Sequence, residues 1–281
     1  MQTLQDAAAL RAAIRGWRTA GLTVGFVPTL GNLHAGHYSL LKLARARADR
    51  VVASVFVNPT QFAPGEDFER YPRTLAQDQA GLAENDCDIL FAPEVSTLYP
   101  FGAEASVSIH VPLLTETLEG AHRPGHFDGV ATVVAKLFNL VQPDLAVFGQ
   151  KDFQQLRVIE RMVRDLSLPV KVMAAPTLRD EDGLAKSSRN QYLSEAERTR
   201  APQIYATLQQ MRDLFGQGHA WRVLEQAGFA RLQRAGFVPD YVAIRRAEDL
   251  AEPEADERTG LVALVAARMG PTRLIDNLPF D

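Results

Sequence analysis

Apolar positions up to about residue 179 follow two alternating patterns. Short, continuously apolar runs predict buried strands, and stretches with apolar residues three or four positions apart predict amphipathic helices. The strands are predicted at residues 22–27, 51–57, 88–91, 144–148 and 169–174. The helices are predicted at residues 6–17, 38–44, 74–85, 127–141 and 153–166. Apolar strands that alternate with helices predict an α/β fold with a Rossmann-like, mainly parallel sheet and helices on both faces.

The pattern changes in the last hundred or so residues of the chain. Two helices are predicted at residues 194–215 and 220–234, followed by strands at residues 238–244, 261–268 and 272–276. Helices followed by strands are typical of a small α+β domain. The polar segment at residues 180–183 contains a glycine and marks the expected boundary or hinge. We therefore expect a Rossmann-like domain at residues 1–179 and a C-terminal α+β domain at residues 180–281.

One stretch inside the first domain has a different pattern. Residues 106–111 alternate apolar with polar side chains, and this alternation predicts an edge strand.

Composition and charge exclude several classes of function. The chain has 281 residues, of which 46% are hydrophobic and 23% charged, with a net charge of −4. This net charge provides no global field that would recruit nucleic acid or an anionic membrane, so neither partner is expected. Cys87 is the single cysteine, which excludes an internal disulfide and fits the cytoplasm. The first residues lack a signal pattern and no apolar run is long enough to span a bilayer, so we expect a cytoplasmic protein.

The turn between the first predicted strand and the second predicted helix contains two glycines and two histidines, Gly31, His34, Gly36 and His37. A helix N-terminus offers N–H groups and a positive dipole end to phosphate. Loops that follow parallel strands also share one edge of the sheet, where ligands bind. Glycine allows the backbone to approach a phosphate or an adenine ring closely. The turn therefore predicts nucleotide chemistry.

The two histidines, His34 and His37, lie three positions apart at the start of a helix, so their rings can point to the same side. The positive helix end disfavours imidazolium, and we expect neutral rings that each donate one hydrogen bond. Such donors would stabilise charge that develops on a phosphate in a transition state. The simpler alternative is that both residues only cap the helix. The glycines and the preceding strand favour the functional interpretation.

A second candidate segment is Lys186-Ser187-Ser188-Arg189, in a predicted loop. Lysine is a point charge for phosphate, arginine a planar fork, and serine hydroxyls can donate to phosphate oxygens. A basic, serine-rich loop is by itself usually only a solvated surface. Its combination with the histidine turn makes phosphate binding the better hypothesis.

With these two segments, the chain resembles the pantoate–β-alanine ligases (pantothenate synthetases) of the nucleotidylyltransferase superfamily. Residues 34–37 are similar to the superfamily's HIGH motif, and residues 186–189 are similar to its KMSKS-like motif. Other matching blocks lie at residues 28–37, 58–62, 71–74, 118–120, 123–127, 148–155 and 182–190. The blocks keep the family's order and spacing over nearly the whole chain.

The resemblance implies an ATP-dependent condensation of (R)-pantoate with β-alanine to pantothenate. The expected reaction passes through pantoyl adenylate and releases pyrophosphate and AMP. ATP is then a co-substrate, Mg²⁺ accompanies it, and a homodimer is expected because family members are commonly dimers. The domain at residues 1–179 would bind the nucleotide and pantoate, and the domain at residues 180–281 would act as a lid. Pantoate binding is assigned to the uncharged amides Gln61 and Gln155, which can donate and accept without suppressing the nucleophile. Asp78 is the candidate for an outer-shell carboxylate at the metal.

The resemblance also assigns the nucleotide site residue by residue. Catalysis is assigned to His37, His34 and Lys151, with Lys151 on phosphate. The ATP-binding residues are Leu30, Gly31, Asn32, Leu33, His34, Ala35, Gly36, His37, Gly149, Gln150, Lys151, Asp152, Leu178, Lys186, Ser187, Ser188 and Arg189. Among them, Asp152 would contact ribose or order its loop, and Leu178 would contact adenine through its backbone.

The chain departs from the family pattern at two positions, and the role of one further residue is open. Leu30 and Lys186 each stand where the family usually has methionine; the leucine conserves volume and should be tolerated. The charge of Lys186 either strengthens the phosphate contact or points to solvent. Arg123 has either a structural or a ligand-binding role.

Two rival functions are open. One is AMP transfer to a phosphorylated acceptor, which the uncharged Gln61 and Gln155 disfavour. The other is a nucleotide sensor without catalysis, which the two histidines and Lys151 disfavour.

Overall fold

The computed structural model describes residues 1–63 and 65–280. These residues form two compact units. The first comprises Met1–Gln150 and Val158–Pro176, and the second comprises Lys151–Arg157 and the chain from Thr177 onward. The chain thus passes into its C-terminal unit after Pro176, and a boundary between residues 179 and 180 stays a prediction.

A six-stranded sheet forms the centre of the first unit. Its strands are β1 (Gln2–Leu4), β2 (Val24–Thr29), β3 (Arg50–Val55), β4 (Ile89–Phe91), β5 (Leu145–Gly149) and β6 (Lys171–Ala175). The order is β1-β4-β3-β2-β5-β6, and all neighbours are parallel. The chain extends the sheet in one direction from β2 to β4 and in the other from β5 to β6. The order therefore reverses between β2 and β5, and parallel α/β sheets bind ligands beside the carboxyl ends of such strands.

Helices surround this sheet. They are α1 (Ala7–Thr19), α2 (Ala35–Arg45), α3 (Leu75–Glu84), α4 (Val95–Leu98), α5 (Glu119–His122), α6 (His126–Val141) and α7 (Phe153–Asp165), with 3₁₀ turns at Pro59–Gln61 and Gln150–Asp152. Three successive residues of β3, Val51, Val52 and Ala53, have no exposed surface. Because neighbouring strand residues point to opposite faces, both faces of the sheet are covered, as the continuously apolar pattern predicts.

The second unit contains an antiparallel sheet and three helices. The strands β7 (Val238–Arg246), β8 (Leu261–Met269) and β9 (Thr272–Phe280) pair in that order. The helices are α8 (Glu195–Arg200), α9 (Gln203–Gly216) and α10 (Trp221–Arg234), after a 3₁₀ turn at Ser188–Tyr192. Side chains of α9 and α10 such as Leu208 and Leu224 share a core with Ile244 and Val265 of the sheet. This arrangement confirms the predicted α+β architecture.

Two predicted features differ from the structure, and one strand has no counterpart among the predictions. Residues 106–111 belong to no strand among the described residues, so the edge-strand prediction is wrong for this segment. The helix predicted at residues 194–215 is divided into α8 and α9, because Pro202 has no N–H to continue the first helix. The pattern does not predict β1, whose three residues are too few for a periodicity.

Within residues 1–63 and 65–280, no helix combines the length and the apolar character needed to cross a bilayer.

Candidate active site

The loop between β2 and α2 is organised around the buried carboxylate of Asp78, in α3. Gly31 and Asn32 have left-handed backbone angles, with φ of 92° and 52°. This turn directs the N–H groups of Asn32 and Leu33 to the two Asp78 oxygens, at 3.0 and 2.8 Å. A β-carbon at Gly31 would lie 3.1 Å from Asp78 Oδ2, so glycine also fits the tight space. Asp78 thus acts as the anion that shapes this loop.

The two histidines of the turn cap α2. His34 is the N-cap residue, and its Nδ1 accepts the Gly36 N–H at 3.1 Å. His37 Nδ1 accepts the His34 N–H at 3.3 Å, and the two ring centroids are 4.2 Å apart. Because a backbone N–H can only donate, both Nδ1 atoms are unprotonated, and each neutral ring has its proton on Nε2. The rings therefore cap the helix and also present Nε2–H donors, so the two interpretations of these residues are compatible.

The side chain of Gln61 is fixed by Asn58, which follows β3 and has no exposed surface. Asn58 Oδ1 accepts hydrogen bonds from the Tyr99 hydroxyl at 2.7 Å and the Thr60 N–H at 3.4 Å. Asn58 Nδ2 donates to the Gly129 carbonyl at 3.2 Å and to Gln61 Oε1 at 3.1 Å. The Thr60 N–H can only donate and the Gly129 carbonyl can only accept, so the oxygen and nitrogen of Asn58 are assigned. Gln61 then has its carbonyl toward Asn58 and its NH₂ group pointing away from it.

The main chain of Gln61 is held by a second group of side chains. His126 Nδ1 lies 2.7 Å from the Gln61 carbonyl, and Arg123 Nη1 lies 3.0 Å from His126 Nε2. The carbonyl accepts and the guanidinium donates, which selects the neutral Nδ1–H form of His126. Burial and the charge of Arg123 lower the pKa of His126 to about 4. Arg123 also pairs with Glu66 through two bonds of 2.7 Å, which is a structural contact, and a ligand-binding role for it stays a prediction.

Three loops of the first unit leave the same edge of the sheet. β2 pairs with β3 on one side and with β5 on the other, and all three strands run in the same direction. Their carboxyl ends therefore bring together the loops that contain several predicted site residues. These residues are Leu30, Gly31, Asn32, Leu33, His34, Ala35, Gly36, His37, Gln61, Gly149 and Gln150.

The other predicted site residues belong to the second unit. They are Lys151, Asp152, Gln155, Leu178, Lys186, Ser187, Ser188 and Arg189. Lys151 Nζ lies 3.7 Å from the Asp152 carboxylate, and the Lys151 carbonyl accepts a bond from Asn277 Nδ2 at 2.8 Å. Gln155 lies in the first turn of α7.

Residues 178–186 form a short hairpin, which we call the lid hairpin. Arg179 and Ala185 form a β-bridge, and the Lys186 N–H donates to the Leu178 carbonyl at 2.9 Å. Gly183, with φ of 93°, makes the turn, where a left-handed angle favours glycine. The lid hairpin thus joins Leu178 to the first residue of the basic, serine-rich segment.

Charges fix the lid hairpin in place. Lys186 Nζ pairs with Asp180, and its contact with phosphate stays a prediction. Arg198 of α8 binds the same Asp180 at 3.1 Å and Asp182 at 2.5 Å. The hydrogen bond from Arg198 holds the pKa of Asp182 below its usual range. Ser187 then caps the next 3₁₀ turn by accepting the Arg189 N–H at 3.2 Å.

Side chains that could bind a metal ion directly are not clustered in the described part of the chain. Outside Pro64 and Asp281, no group of three or more histidine, cysteine, aspartate or glutamate side chains is placed to hold a metal ion. Asp78 accepts backbone N–H groups with both oxygens and the Thr74 hydroxyl at 3.3 Å. A carboxylate bonded in this way could face a Mg²⁺ ion through a water molecule, because Mg²⁺ usually keeps several of its waters.

The reversed strand order and the histidine-capped helix beside it place the chain among the α/β nucleotide-binding enzymes. The sequence model of one family, described as pantoate-beta-alanine ligase, matches residues 2–279. The chain belongs to this family. The family resemblance and the ligase activity predicted from the sequence are thereby confirmed.

Relatives and solved structures agree with this assignment. A pantothenate synthetase of Xanthomonas euvesicatoria pv. vesicatoria (strain 85-10) is 56% identical over 281 residues, with all of both chains covered. A crystal structure of pantothenate synthetase from Thermus thermophilus is 50% identical, with a TM-score of 0.92 over 100% of this chain and 99% of that one. The pantoate-beta-alanine ligase from Francisella tularensis, complexed with beta-gamma ATP and beta-alanine, is 33% identical, with a TM-score of 0.83 over 99% and 97% of the two chains. These structures confirm the predicted fold class.

Several residues around the candidate site were not singled out from the sequence. Asn58 and His126 lie inside blocks that match the family, and that position was their only signal. Tyr99 gave none. Asp276 and Asn277 are two successive polar residues in a mostly apolar strand, and this break in the pattern could have identified them.

Proposed function

We propose that this chain, with ATP as co-substrate, condenses (R)-pantoate and β-alanine in two steps. In the first, the pantoate carboxylate attacks the α-phosphorus of ATP. The bond to pyrophosphate breaks, and pantoyl adenylate forms. In the second, the β-alanine amine attacks the acyl carbon, AMP leaves, and the amine loses a proton to solvent as the amide of pantothenate forms.

The observation that carries the proposal is the pair of neutral imidazoles at the N-terminus of α2. The Nε2–H groups of His37 and His34 would donate to phosphate oxygens as negative charge shifts toward pyrophosphate. Neutral rings suit this role at neutral pH, and the fixed Nδ1 contacts hold them in position before substrate binds. Lys151 would add a full positive charge at the phosphates.

The remaining ATP contacts are proposed as expected from the sequence. The loop from Leu30 to Gly36 and the residues from Gly149 to Asp152 would line the nucleotide site. Leu178 would contact adenine through its backbone, and Lys186 to Arg189 would contact the triphosphate. Lys186 would have to exchange Asp180 for a phosphate to do so.

Pantoate binding is proposed for Gln61 and Gln155. The orientation of Gln61 supports this role, because its NH₂ group can donate to a carboxylate or a hydroxyl while its carbonyl stays bonded to Asn58. A neutral donor orients the carboxylate without lowering its nucleophilicity as a strong counter-charge would. The Francisella relative is complexed with beta-alanine, and we also propose that this chain binds β-alanine, with Gln61 as a contact.

A product assay tests the reaction. The protein is incubated with ATP and Mg²⁺, and pyrophosphate is measured with and without pantoate; AMP and amide are then measured after β-alanine is added. We expect pantoate-dependent pyrophosphate and β-alanine-dependent AMP. Pyrophosphate release that requires a phosphorylated acceptor instead would identify nucleotidyl transfer. Nucleotide binding without any pyrophosphate would identify a sensor.

Mg²⁺ is proposed as the companion of ATP, where it would neutralise phosphate charge, with Asp78 in its outer shell. The substitution D78N tests this role, because it keeps the volume of the side chain but removes its charge. An outer-shell carboxylate predicts that the Mg²⁺ concentration for half-maximal pyrophosphate release rises several-fold. If only the melting temperature falls and the Mg²⁺ midpoint stays unchanged, Asp78 solely organises its loop.

A homodimer is also proposed. Three apolar side chains between residues 101 and 113 are strongly exposed, with Phe101 at 87%, Val107 at 80% and Leu113 at 74%. This segment includes the alternating residues 106–111, which pair with no strand among the described residues. A second copy of the same segment, related by a two-fold axis, would cover these side chains.

The oligomeric state tests this proposal by light scattering. The wild type should have twice the monomer mass of 30.9 kDa, and V107D should shift it toward monomer. V223D is the control, because Val223 is an exposed apolar residue of α10. A monomeric wild type, or a dimer that V107D leaves intact, would reject the interface.

Two further expectations remain proposals. The cytoplasm is the proposed location, supported by a single cysteine, Cys87, which is buried as a free thiol. The proposed boundary near residues 179 and 180 separates a binding domain from a lid domain, and limited proteolysis with sequencing of the fragments would locate it.

A further inference from the structure

Strand β9 contains two buried polar residues in succession, Asp276 and Asn277, which are 5% and 3% exposed. Successive strand residues point to opposite faces of a sheet. Leu274 and Leu278 contact the core under α9 and α10, so Asp276 lies on that face and Asn277 on the other. A buried polar pair of this kind costs free energy unless each residue is hydrogen-bonded.

Asp276 is bonded to the lid hairpin. Arg179 makes a two-pronged pair with its carboxylate, at 2.6 and 2.9 Å, and stacks 3.6 Å from the ring centroid of Tyr205. The same guanidinium donates to the Gly183 carbonyl at 3.1 Å. Burial raises the pKa of Asp276, and the charge of Arg179 opposes that rise. The pair therefore fixes β9 to the lid hairpin at this point.

Asn277 is bonded to a different segment. Its Nδ2 donates to the main-chain carbonyl of Lys151 at 2.8 Å, across 126 positions of sequence. Its own N–H donates to Asp276 Oδ1 at 2.8 Å, which keeps the two side chains in fixed relation. The peptide that carries the Lys151 side chain is therefore held by a strand that is itself locked to the lid hairpin.

We propose that Asn277 is a positioning residue for Lys151, and that the Asp276–Arg179 ion pair fixes the strand from which Asn277 acts. The inference rests on the proposed role of Lys151 at the ATP phosphates. A side chain with four rotatable bonds reaches a phosphate productively only if its backbone is placed, and a displacement of about 1 Å can cost ~10²-fold in rate. Asn277 would supply this placement without touching substrate.

A double-mutant cycle with N277A, K151A and the double variant tests this proposal. The readouts are kcat and KM for ATP in pantoate-dependent pyrophosphate release, and KM for β-alanine in the second step. We expect N277A alone to lower kcat/KM for ATP roughly 10- to 100-fold and to leave KM for β-alanine unchanged. In the K151A background, N277A should change kcat/KM by less than about twofold, because residues that act as one unit are not additive.

The matched control is T272V. Thr272 is a buried residue of the same strand whose hydroxyl has no hydrogen-bond partner within the described chain. Valine keeps the branched shape and removes only this unpaired hydroxyl, so ATP kinetics should stay within about twofold of wild type. Should N277A fail to fold, N277S keeps a small polar side chain that is too short to reach the Lys151 carbonyl, and it replaces N277A in the cycle.

The outcomes separate the inference from the proposed site. If K151A itself leaves kcat/KM for ATP unchanged, the assignment of Lys151 is wrong. If K151A is impaired and N277A lowers kcat/KM by the same factor in K151A as in the wild type, Asn277 acts independently of Lys151 and the inference is overturned. Loss of the N277A effect in the K151A background supports the inference.

Discussion

The imidazoles of His34 and His37, at the start of α2, each accept a backbone hydrogen bond with one ring nitrogen. Because Nδ1 accepts this bond, the proton of the neutral ring is on Nε2, and the ring offers a ligand an Nε2–H donor. A helix cap and a phosphate donor are usually different residues. In the proposed function His37 combines both, so a substitution must separate the cap from the donor.

Substitution of His37 tests this separation. H37A should slow pantoate-dependent pyrophosphate release ~10²–10³-fold, as expected for the loss of one transition-state donor. It should also lower the melting temperature, because the capping interaction is lost. Both are measured on the same preparation.

H37Q provides the control for the cap. Glutamine at the third helical position can accept the N-cap N–H, so it should restore much of the melting temperature but not the rate. A recovered rate in H37Q, or unchanged turnover in H37A, would remove His37 from its proposed catalytic role.

His126 predicts a pH dependence of stability. Its pKa is about 4 in the folded chain, against ~6.5 for an unfolded histidine. The unfolded state therefore takes up a proton first as the pH falls. The stability from neutral His126 is fully present above pH ~6.5 and is lost between there and about pH 4, by roughly 3 kcal/mol.

Urea unfolding at pH 7.5 and pH 4.5 measures this loss. H126N is the reference, because the asparagine NH₂ can still donate to the Gln61 carbonyl but does not titrate. The wild type should lose more stability than H126N over this range. Equal losses in the two proteins would show that His126 does not have the lowered pKa.

At the scale of single residues, the sequence could identify candidate residues but not their hydrogen-bond partners. His34, His37 and Gln61 lie in recognisable segments, and their catalytic and binding roles stay predictions. The orientation of the Gln61 amide depends on Asn58, whose own assignment depends on a carbonyl 71 positions away. No local pattern contains such a contact, because it exists only after the chain folds.

Among the elements, α6 approaches the 3₁₀ turn Pro59–Gln61 at a single glycine. A β-carbon at Gly129 would collide with the Thr60 carbonyl oxygen and would lie 2.7 Å from the Gln61 nitrogen. The absence of a side chain at Gly129 therefore sets how closely the helix and the turn can pack, and with it the position of Gln61.

The substitution G129A should push the turn away from α6. We expect a loss of roughly 1–3 kcal/mol in the free energy of unfolding from overpacking, together with a higher KM for pantoate. G16A in α1 is the matched control, because nothing lies within 4 Å of its β-carbon. It should stabilise the chain by up to about 1 kcal/mol. A pantoate KM unaffected by G129A would separate Gln61 from pantoate binding.

The predictability of the elements follows from their burial. Strand β3 is apolar on both faces, so its sequence alone identifies it. Strand β1 has three residues, two of them exposed, and exists because it pairs with β4. Residues 106–111 alternate as an edge strand would but have no strand partner in the described chain. Pairing is a tertiary property, and periodicity does not contain it.

On the scale of the whole chain, the two units predict different responses to nucleotide. Residues 180–190 should exchange amide hydrogens more slowly with ATP than without it, because they contain proposed triphosphate contacts. If opening requires ATP to dissociate, exchange should slow roughly tenfold at ten times Kd. Hydrogen exchange with mass spectrometry measures this, and β8 amides serve as the unresponsive reference. Amide exchange rates in residues 180–190 that are the same with and without ATP would contradict the lid role.

The division of the chain into units shows where sequence reasoning ends. The change from alternating strands and helices to helices followed by strands correctly predicts two architectures. It does not predict that Lys151–Arg157 belongs to the second unit, because α7 continues through Arg157 with an uninterrupted helical pattern. Only long-range bonds such as that from Asn277 to Lys151 reveal this membership.

The fixed amide of Gln61 has a consequence for inhibitor design. With its oxygen turned to Asn58, this side chain presents its NH₂ hydrogens to an incoming molecule. A compound that meets it with a carboxylate, sulfonyl or ether oxygen is matched. A primary amide of pantoic acid that turned its own NH₂ toward Gln61 would place hydrogens against hydrogens and leave buried groups unsatisfied. If Gln61 binds pantoate as proposed, inhibitor design should favour analogues that place a hydrogen-bond acceptor against its NH₂ group.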